Sequence, residues 1–292
     1  MNSAQKTYSG EPLSSEQACI AYLFKKRWPW GFCCPFCGAV QKEISPAYTV
    51  VCRYCRKQTS ITAQTLMHGS KKSLAAWMRV AWQFSFAEQG LSARRLQKMM
   101  ELSCYHTAWT WLQKMRLGAA LAESAPCTDR VLIMQFVLPV TSVSGGRGLH
   151  TILALEVDKG NGESQRLRFK VVDVEKVVSL SNCIENLVAA GSTILTDLFT
   201  QILDNTFEDA YTLSLPTQYH LQQGHAIFEE LQQWLATIYR GAIDSRYLQS
   251  YLDEFSFRHN SVLLQDRLAV LDHLLTALVK PVRKGQSAGS RG

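Results

Sequence analysis

CPFCGAVQKEISPAYTVVCRYC, Cys34–Cys55, holds two Cys-x-x-Cys pairs, Cys34/Cys37 and Cys52/Cys55. A Cys-x-x-Cys turn aims two thiolates at one point, and a second turn on a facing hairpin completes a tetrahedral cage of sulfur ligands. The spacing predicts a closed, structural Zn2+ site in a zinc ribbon, because four thiolates leave no position for a reacting water. Two other readings of the four cysteines are weaker. Disulfides suit a secreted chain, and Met1–Glu11 is polar, without an apolar leader. A redox pair of the thioredoxin kind needs one such turn rather than two. Cys33 adjoins Cys34 and competes for its place, but the Cys-Pro-x-Cys turn favours Cys34.

At 292 residues and 47% hydrophobic the chain has material for two or three packed domains. The cysteines outside the ribbon (Cys19, Cys33, Cys104, Cys127, Cys183) lack the even spacing of a disulfide framework. A reducing cytoplasm is the expected setting. No run of about twenty apolar residues offers a membrane span. The formal net charge is +7, and it is unevenly spread. Between Lys25 and Arg116 fifteen basic residues face only Glu43, Glu88 and Glu101. That asymmetry points to a front half that binds phosphates, with double-stranded DNA as the expected partner.

The ends of the ribbon follow from its neighbours. Residues 1–28 hold a helix capped by Ser14 or Ser15, with Cys19, Ile20, Tyr22, Leu23 and Trp28 on its apolar face, expected to pack on the ribbon. The ribbon itself takes 29–66. Over 67–118 a helix from Ser73 to Ala87 precedes two more, SARRLQKMMEL and CYHTAWTWLQKMR, joined by a tight turn around Ser103. Such a pair with an apolar seam predicts a helix-turn-helix whose second helix enters the major groove. Tyr105, His106, Thr107, Thr110 and Gln113 are then candidates for contact with DNA. For phosphates the candidates are Arg53, Arg56 and Lys57 on the ribbon, Lys71 and Lys72 after it, and Arg94, Arg95 and Lys98 on the first helix of the pair.

From Cys127 the pattern changes to strands. Val131–Val140, Leu149–Val157 and Arg166–Val174 read as three strands, Val177–Ala190 as a helix, and STILTD as a fourth strand ending on Asp197. Strands, then a helix, then a strand ending in an acid is the order of an α/β sheet, over residues 127–262. An acid at such a strand end sits where metals and phosphates are handled. Residues 263–292 give a further helix with Leu264, Leu268, Leu271, Leu274, Leu275 and Leu278 apolar, expected either to pack on the core or to form a homodimer interface, and then a basic Gly/Ser-rich tail.

Five stretches are similar to the zinc-ribbon DDE transposases of a large bacterial insertion-sequence family, the ISXO-like kind: SSEQACIAYLFKKRWPWGFCCPFCG, CRYCRKQTSITAQTLMHGSKKSLAAW, LSARRLQKMMELSCYHTAWTWLQKMR, GSTILTD and QQWLATIYRGAIDSRYLQSYLDEFSFRHN. The resemblance implies a multidomain chain: zinc ribbon, helix-turn-helix, and an RNase H-like core that holds Mg2+ on acidic side chains for phosphoryl transfer at DNA ends. It also exposes a departure. The first metal-binding acid of the family falls on Met134, in VLIMQFV, next to Gln135. A thioether does not hold a hard magnesium ion. The second acid is retained as Asp197, and the third position falls on Glu230, with Gln232 where relatives carry Lys; the basic glycine-rich stretch is reduced to SGGRG, Ser144–Gly148. Both acids also have plain structural readings, Asp197 as a strand-end residue and Glu230 as a solvated helix residue beside Glu229. The expectation is a DNA-binding transposase-family protein impaired in catalysis, with Mg2+ bound only if it is active. The alternative is an active transposase that cleaves and transfers strands at insertion-sequence ends, its metal site rearranged around Asp197, Glu230 and either Asp173 or Asp129. Asp129 would reach the site only by a five-residue register shift that turns an apolar strand out of the core.

Overall fold

The structure is a computed structural model that describes residues 15–70, 72–87, 90–139, 149–157, 165–172, 177–198, 210–239, 243–264 and 266–282. Lys71, Asp173 and the Ser144–Gly148 stretch lie outside the described residues. Two compact units make up the chain. One gathers Met1–Ala87, Ala93–Gly118 and Leu271–Gly292, the other Glu88–Ser92 and Ala119–Val270.

In the first unit, α1 (Glu16–Arg27) starts at Ser15, whose hydroxyl accepts the Ala18 N–H at 3.2 Å. Its buried Cys19, Leu23 and Phe24 face inward, and Trp28 packs edge-on between Phe24 and Phe32. Two antiparallel hairpins follow, β1 (Phe32–Cys33) with β2 (Val40–Gln41), and β3 (Thr49–Val51) with β4 (Gln58–Ser60). Arg27 fastens α1 to the end of β4 by donating to the carbonyls of Ser60, at 3.0 Å, Ile61 and Ala63. The first helix therefore packs on the ribbon as expected.

Three helices come next: α2 (Leu74–Phe86), α3 (Ala93–Met99) and α4 (Tyr105–Ala122). The start of α2 is capped twice. Ser73 accepts the Ala76 N–H at 3.2 Å, and the Glu16 carboxylate accepts those of Leu74 and Ala75 at 2.9 and 3.0 Å. Three of the four open donors of the first turn are thus satisfied, and a negative charge stands at the helix's positive end. Trp77 of α2 stacks on Trp111 of α4 with ring centres 5.0 Å apart. The helix α4 runs six residues beyond the expected end at Arg116, because Gly118 is a helix-interior residue against which Leu274 and Leu278 pack. Those leucines belong to α8 (Arg267–Val279), whose Leu278 carbonyl also accepts the Leu66 N–H at 3.3 Å.

The second unit is built on a five-stranded sheet of order β7-β6-β5-β8-β9. β5 (Arg130–Leu138), β6 (Leu149–Glu156) and β7 (Leu167–Val172) form an antiparallel meander. After α5 (Val177–Leu187), β8 (Thr193–Leu195) returns parallel to β5, and β9 (Thr212–Ser214) pairs parallel to β8. The apolar run Val131–Met134 of β5 has a direct cause, since both faces of the strand are covered there. Leu132, Met134, Phe136 and Leu138 pack with Leu231 and Leu235 of α6 (Gln218–Tyr239) and with Leu248, Leu252 and Phe255 of α7 (Leu248–Ser261). On the other face Val131 and Ile133 pack with Leu180, Ile184 and Leu187 of α5.

The helix α7 also closes the outer edge of β7. Gln249 accepts the Val171 N–H at 2.9 Å and donates to the Phe169 carbonyl at 3.1 Å. Three turns along, Asn260 accepts the Leu167 N–H at 2.9 Å and donates to the Leu167 carbonyl at 3.0 Å and to Glu123 at 2.7 Å. Two side-chain amides stand in for a sixth strand, so the edge offers no free ladder there. Asn260→Ala leaves buried donors and acceptors of Leu167 and Glu123 without these partners, and is expected to cost about 3 kcal/mol. A urea titration checks this, with Val262→Ala, an exposed position, as the variant expected to leave the midpoint unchanged.

Candidate metal centre and nucleic-acid interface

The two Cys-x-x-Cys turns fold alike. In the first, the Gly38 N–H bonds the Cys34 carbonyl at 2.9 Å and the Cys34 N–H bonds the Ala39 carbonyl at 3.0 Å. In the second, Arg56 and Cys52, then Cys52 and Lys57, repeat both bonds at 3.0 Å. The closing residue must be left-handed in each: Gly38 has φ 72° and Arg56 φ 61°. Glycine adopts that backbone without cost, whereas arginine there stores about 1 kcal/mol of strain.

The turns bring the sulfurs of Cys34, Cys37, Cys52 and Cys55 within 4.8 Å of one another. Cys34 Sγ lies 3.6 Å from Cys55 Sγ and Cys37 Sγ 3.7 Å from Cys52 Sγ. A tetrahedron of Zn–S bonds near 2.3 Å has edges of about 3.8 Å, so the four residues fit Zn2+. Backbone N–H groups favour the thiolate at Cys52 and Cys34, whereas at Cys37 the Ala39 N–H is outweighed by burial and the three neighbouring sulfurs, which push that thiol up to about 12. The N–H of Cys55 is the main cause holding the Cys52 thiol down to about 6, against its burial, and that of Tyr54 adds to it. Burial raises the Cys34 thiol, but the N–H groups of Phe36 and Cys37 bring it below its ordinary value overall. Cys33 is exposed and stands outside the cluster.

Around this centre Arg53, Arg56 and Lys57 are exposed, as are Lys72, the α3 residues Arg94, Arg95 and Lys98, and His106; Thr107 is half-buried. Arg94 and Arg95 share a side of α3 with Lys98, three and four residues on, opposite the buried Ala93 and Leu96. The expectation for Gln113 is corrected. It is buried at 8% exposure, because α4 is covered on more than its Ala108–Trp111–Met115 seam. Several of the fifteen basic residues are likewise structural. Arg27 holds carbonyls, Arg116 is buried, Lys26 pairs with Asp272 at 2.5 Å, and Lys114 donates to the His68 carbonyl at 3.2 Å beneath Trp77.

On the sheet, Asp197 is exposed two residues past the end of β8. The parallel register pairs Leu132 with Leu195 and ends there; Met134 follows two residues on within β5, and Asp197 two residues on in a bend beyond β8. Met134 is 7% exposed and touches α6 at Gly224, where a Cβ would lie 2.2 Å from its sulfur. Glu230 sits six residues beyond Gly224, roughly 240° round the helix, and is exposed. Its charge is felt instead by His259 of α7, whose pKa lies below the ordinary value because of burial. Asp129 is exposed before β5, about 16 Å along the strand from Met134. Among the described residues, the four cysteines are the one group of three or more Cys, His, Asp or Glu side chains close enough to share an ion.

Comparison with family models gives two matches. A transposase zinc-ribbon domain matches residues 14–58, and an ISXO2-like transposase domain matches residues 144–260. Together they span more than half of the chain. The chain belongs to the zinc-ribbon ISXO2-like transposases. No curated protein and no solved structure matched. In this family member the ribbon match takes in all four cysteines, the core match ends on Asn260, and β5 with Met134 falls outside both. No helix among the described residues is long and apolar enough to cross a membrane.

Three contributions are not legible from composition. Glu16 works as a cap for α2, Gly224 marks the close approach of α6 to Met134, and Phe36 and Tyr54 stand exposed on the two turns. A glycine inside an otherwise strong helix and an aromatic residue inside each Cys-x-x-Cys pair are the available signals. Cys52→Ser should remove the metal and the ribbon's fold together, read as loss of bound zinc and of hydrogen-exchange protection over residues 32–60, since metal binding supplies the folding energy of such a module. A zinc-free variant with unchanged protection would contradict the assignment.

Proposed function

We propose that this transposase-family protein grips double-stranded DNA with its ribbon and with α3 and α4 as a helix-turn-helix, and that its core is impaired in strand transfer. The reading of the front half is supported by exposed cations on both elements: Arg53, Arg56, Lys57 and Lys72 around the ribbon, and Arg94, Arg95 and Lys98 on α3, with His106 and Thr107 opening α4. Lys71 belongs to the same proposal by sequence. Cations of this kind bind phosphates by releasing counterions, a contribution independent of base sequence. The protein would work on DNA in the cytoplasm.

For the core, an RNase H-like reading is supported by the strand order and directions, an antiparallel meander followed by two parallel strands on the far side of β5. One observation carries the impairment: Met134, the second residue of β5 beyond its last pair with β8, is a thioether packed among Leu132, Phe136 and Gly224, while Asp197 is the second residue beyond that pair on the neighbouring segment. Magnesium needs several hard oxygen ligands in near-octahedral geometry. Among the described residues no three Asp, Glu, His or Cys side chains come together around Asp197, and Glu230 faces away from the Gly224 side of α6. The donor set of the described residues does not fit a pair of Mg2+ ions, so no cleavage step is derived through them.

A strand-cleavage assay on DNA ends carrying the terminal repeats that flank the gene, with Mg2+ or Mn2+, compares the natural protein with Met134→Asp. Inactivity of the natural protein is the expected outcome, and cutting gained by a folded Met134→Asp would trace the loss to that one position. Cutting by the natural protein, abolished by Asp197→Ala, overturns the impairment. For the front half, Arg94→Ala and Arg95→Ala are each expected to weaken binding to all duplex sequences and to lower the slope of log K against log salt by about one. Arg56→Gly is expected to act in two directions. Relief of the left-handed strain should raise the ribbon's stability by about 1 kcal/mol, while DNA binding weakens. Chelator competition and fluorescence anisotropy read the two effects separately.

A further inference from the structure

The turns Cys34–Cys37 and Cys52–Cys55 carry an aromatic residue at the same position, Phe36 and Tyr54, and both rings stand in solvent at 54% and 72% exposure. The contact between ribbon and α1 is made by other rings, Trp28 and Phe32, both buried. Because the four sulfurs of the two turns lie within 4.8 Å of one another, Phe36 and Tyr54 belong to one end of the ribbon. Cations surround them. Lys57 Nζ, from beyond the second turn, lies 4.7 Å over the Phe36 ring of the first, and the exposed Arg53 and Arg56 flank Tyr54 in the chain. Arg56 keeps its place there although the turn wants a glycine conformation.

Two exposed rings set among cations, Phe36 with Lys57 over one face, match a ligand with flat π faces strung on a polyanion. Unpaired nucleotides are that ligand: bases stack on aromatic side chains in any sequence while Lys and Arg follow the phosphates. A blunt duplex hides its base faces in its own stack, and its phosphates call for cations alone. The charge around the rings also selects a polyanion over an apolar protein surface.

We propose that the zinc end of the ribbon binds unpaired DNA bases by stacking them on Phe36 and Tyr54, with Lys57, Arg53 and Arg56 on the adjoining phosphates. This rests on the DNA-binding reading above and adds to it a preference for opened or frayed DNA. The test uses the full-length, zinc-loaded protein and fluorescence anisotropy with three probes: a single strand, the matching blunt duplex, and that duplex with one end left unpaired. Phe36→Ala and Tyr54→Ala are each expected to weaken binding to the single strand and the frayed duplex by roughly ten-fold, with blunt-duplex affinity within about two-fold. Tyr54→Phe should keep the natural affinity, and Tyr54→Leu, apolar without a stacking face, should lose it. Zinc content near that of the natural protein identifies the variants that remain folded. Where blunt duplex is bound but the frayed end brings no gain, or the gain survives both alanine substitutions in zinc-loaded protein, the stacking proposal falls and the duplex reading stands. Absence of any binding to blunt duplex at low salt overturns the underlying DNA-binding reading instead.

Discussion

The sheet of the second unit depends on a central strand whose first half is buried on both faces. With Leu132, Met134, Phe136 and Leu138 on one side and Val131 and Ile133 on the other, β5 gives neither face to water until Gln135 and the exposed Val137, so helices must cover both. That requirement fixes where α5, α6 and α7 go, and it sets what position 134 can be. A carboxylate in that apolar row would be desolvated at a cost of several kcal/mol unless a cation or donors compensated it. Methionine fills the same place with a flexible, polarizable side chain, and Gly224 removes the Cβ that would collide with it. The helix and the strand are fitted to each other around a sulfur atom, and a metal ligand at this point would need that packing to change.

The first unit depends on a different constraint. Its strands are two or three residues long and cannot bury a core of their own, so four thiolates and the repeated turn geometry define the ribbon. The rest is tied to this small frame by single polar groups that reach across it. Arg27 joins α1 to the end of β4, Glu16 joins α1 to the start of α2, and Tyr22 and Lys26 both reach Asp272 of α8. Charges that count equally in composition therefore do unequal things. Arg27 and Arg116 are committed inside the unit, while Arg53, Arg56 and Lys57 remain on its surface.

This division explains what could be read from the sequence. The ribbon was legible because cysteine spacing encodes ligand geometry directly, and the strands β5 to β8 because apolar runs and their breaks mark them. The depth of packing was not. Gln113 looks like a contact residue on a polar side of α4, yet α4 is enclosed more widely than its seam suggests. Glu230 looks like a candidate acid by order along the chain, but its direction depends on which face of α6 meets the sheet, and that is set by Gly224, Phe228, Leu231 and Leu235. The YLDEFSFRHN stretch stood out as a pattern, and its last residue does work that a strand would otherwise do, holding both backbone groups of Leu167.

Binding DNA and cutting it place very different demands on a scaffold. Attraction to phosphates is additive over surface cations and tolerates the loss or burial of several, so Arg27, Lys26 and Arg116 can be spent on structure while the exposed set still acts. A two-metal phosphoryl transfer is not additive. It needs oxygen ligands from separate strands and helices held together within a fraction of an ångström, and a single thioether in that set removes both a ligand and a negative charge. On the proposed reading, a thioether at one buried position of β5 would separate the two activities, since the exposed cations of the ribbon and of α3 belong to the other unit.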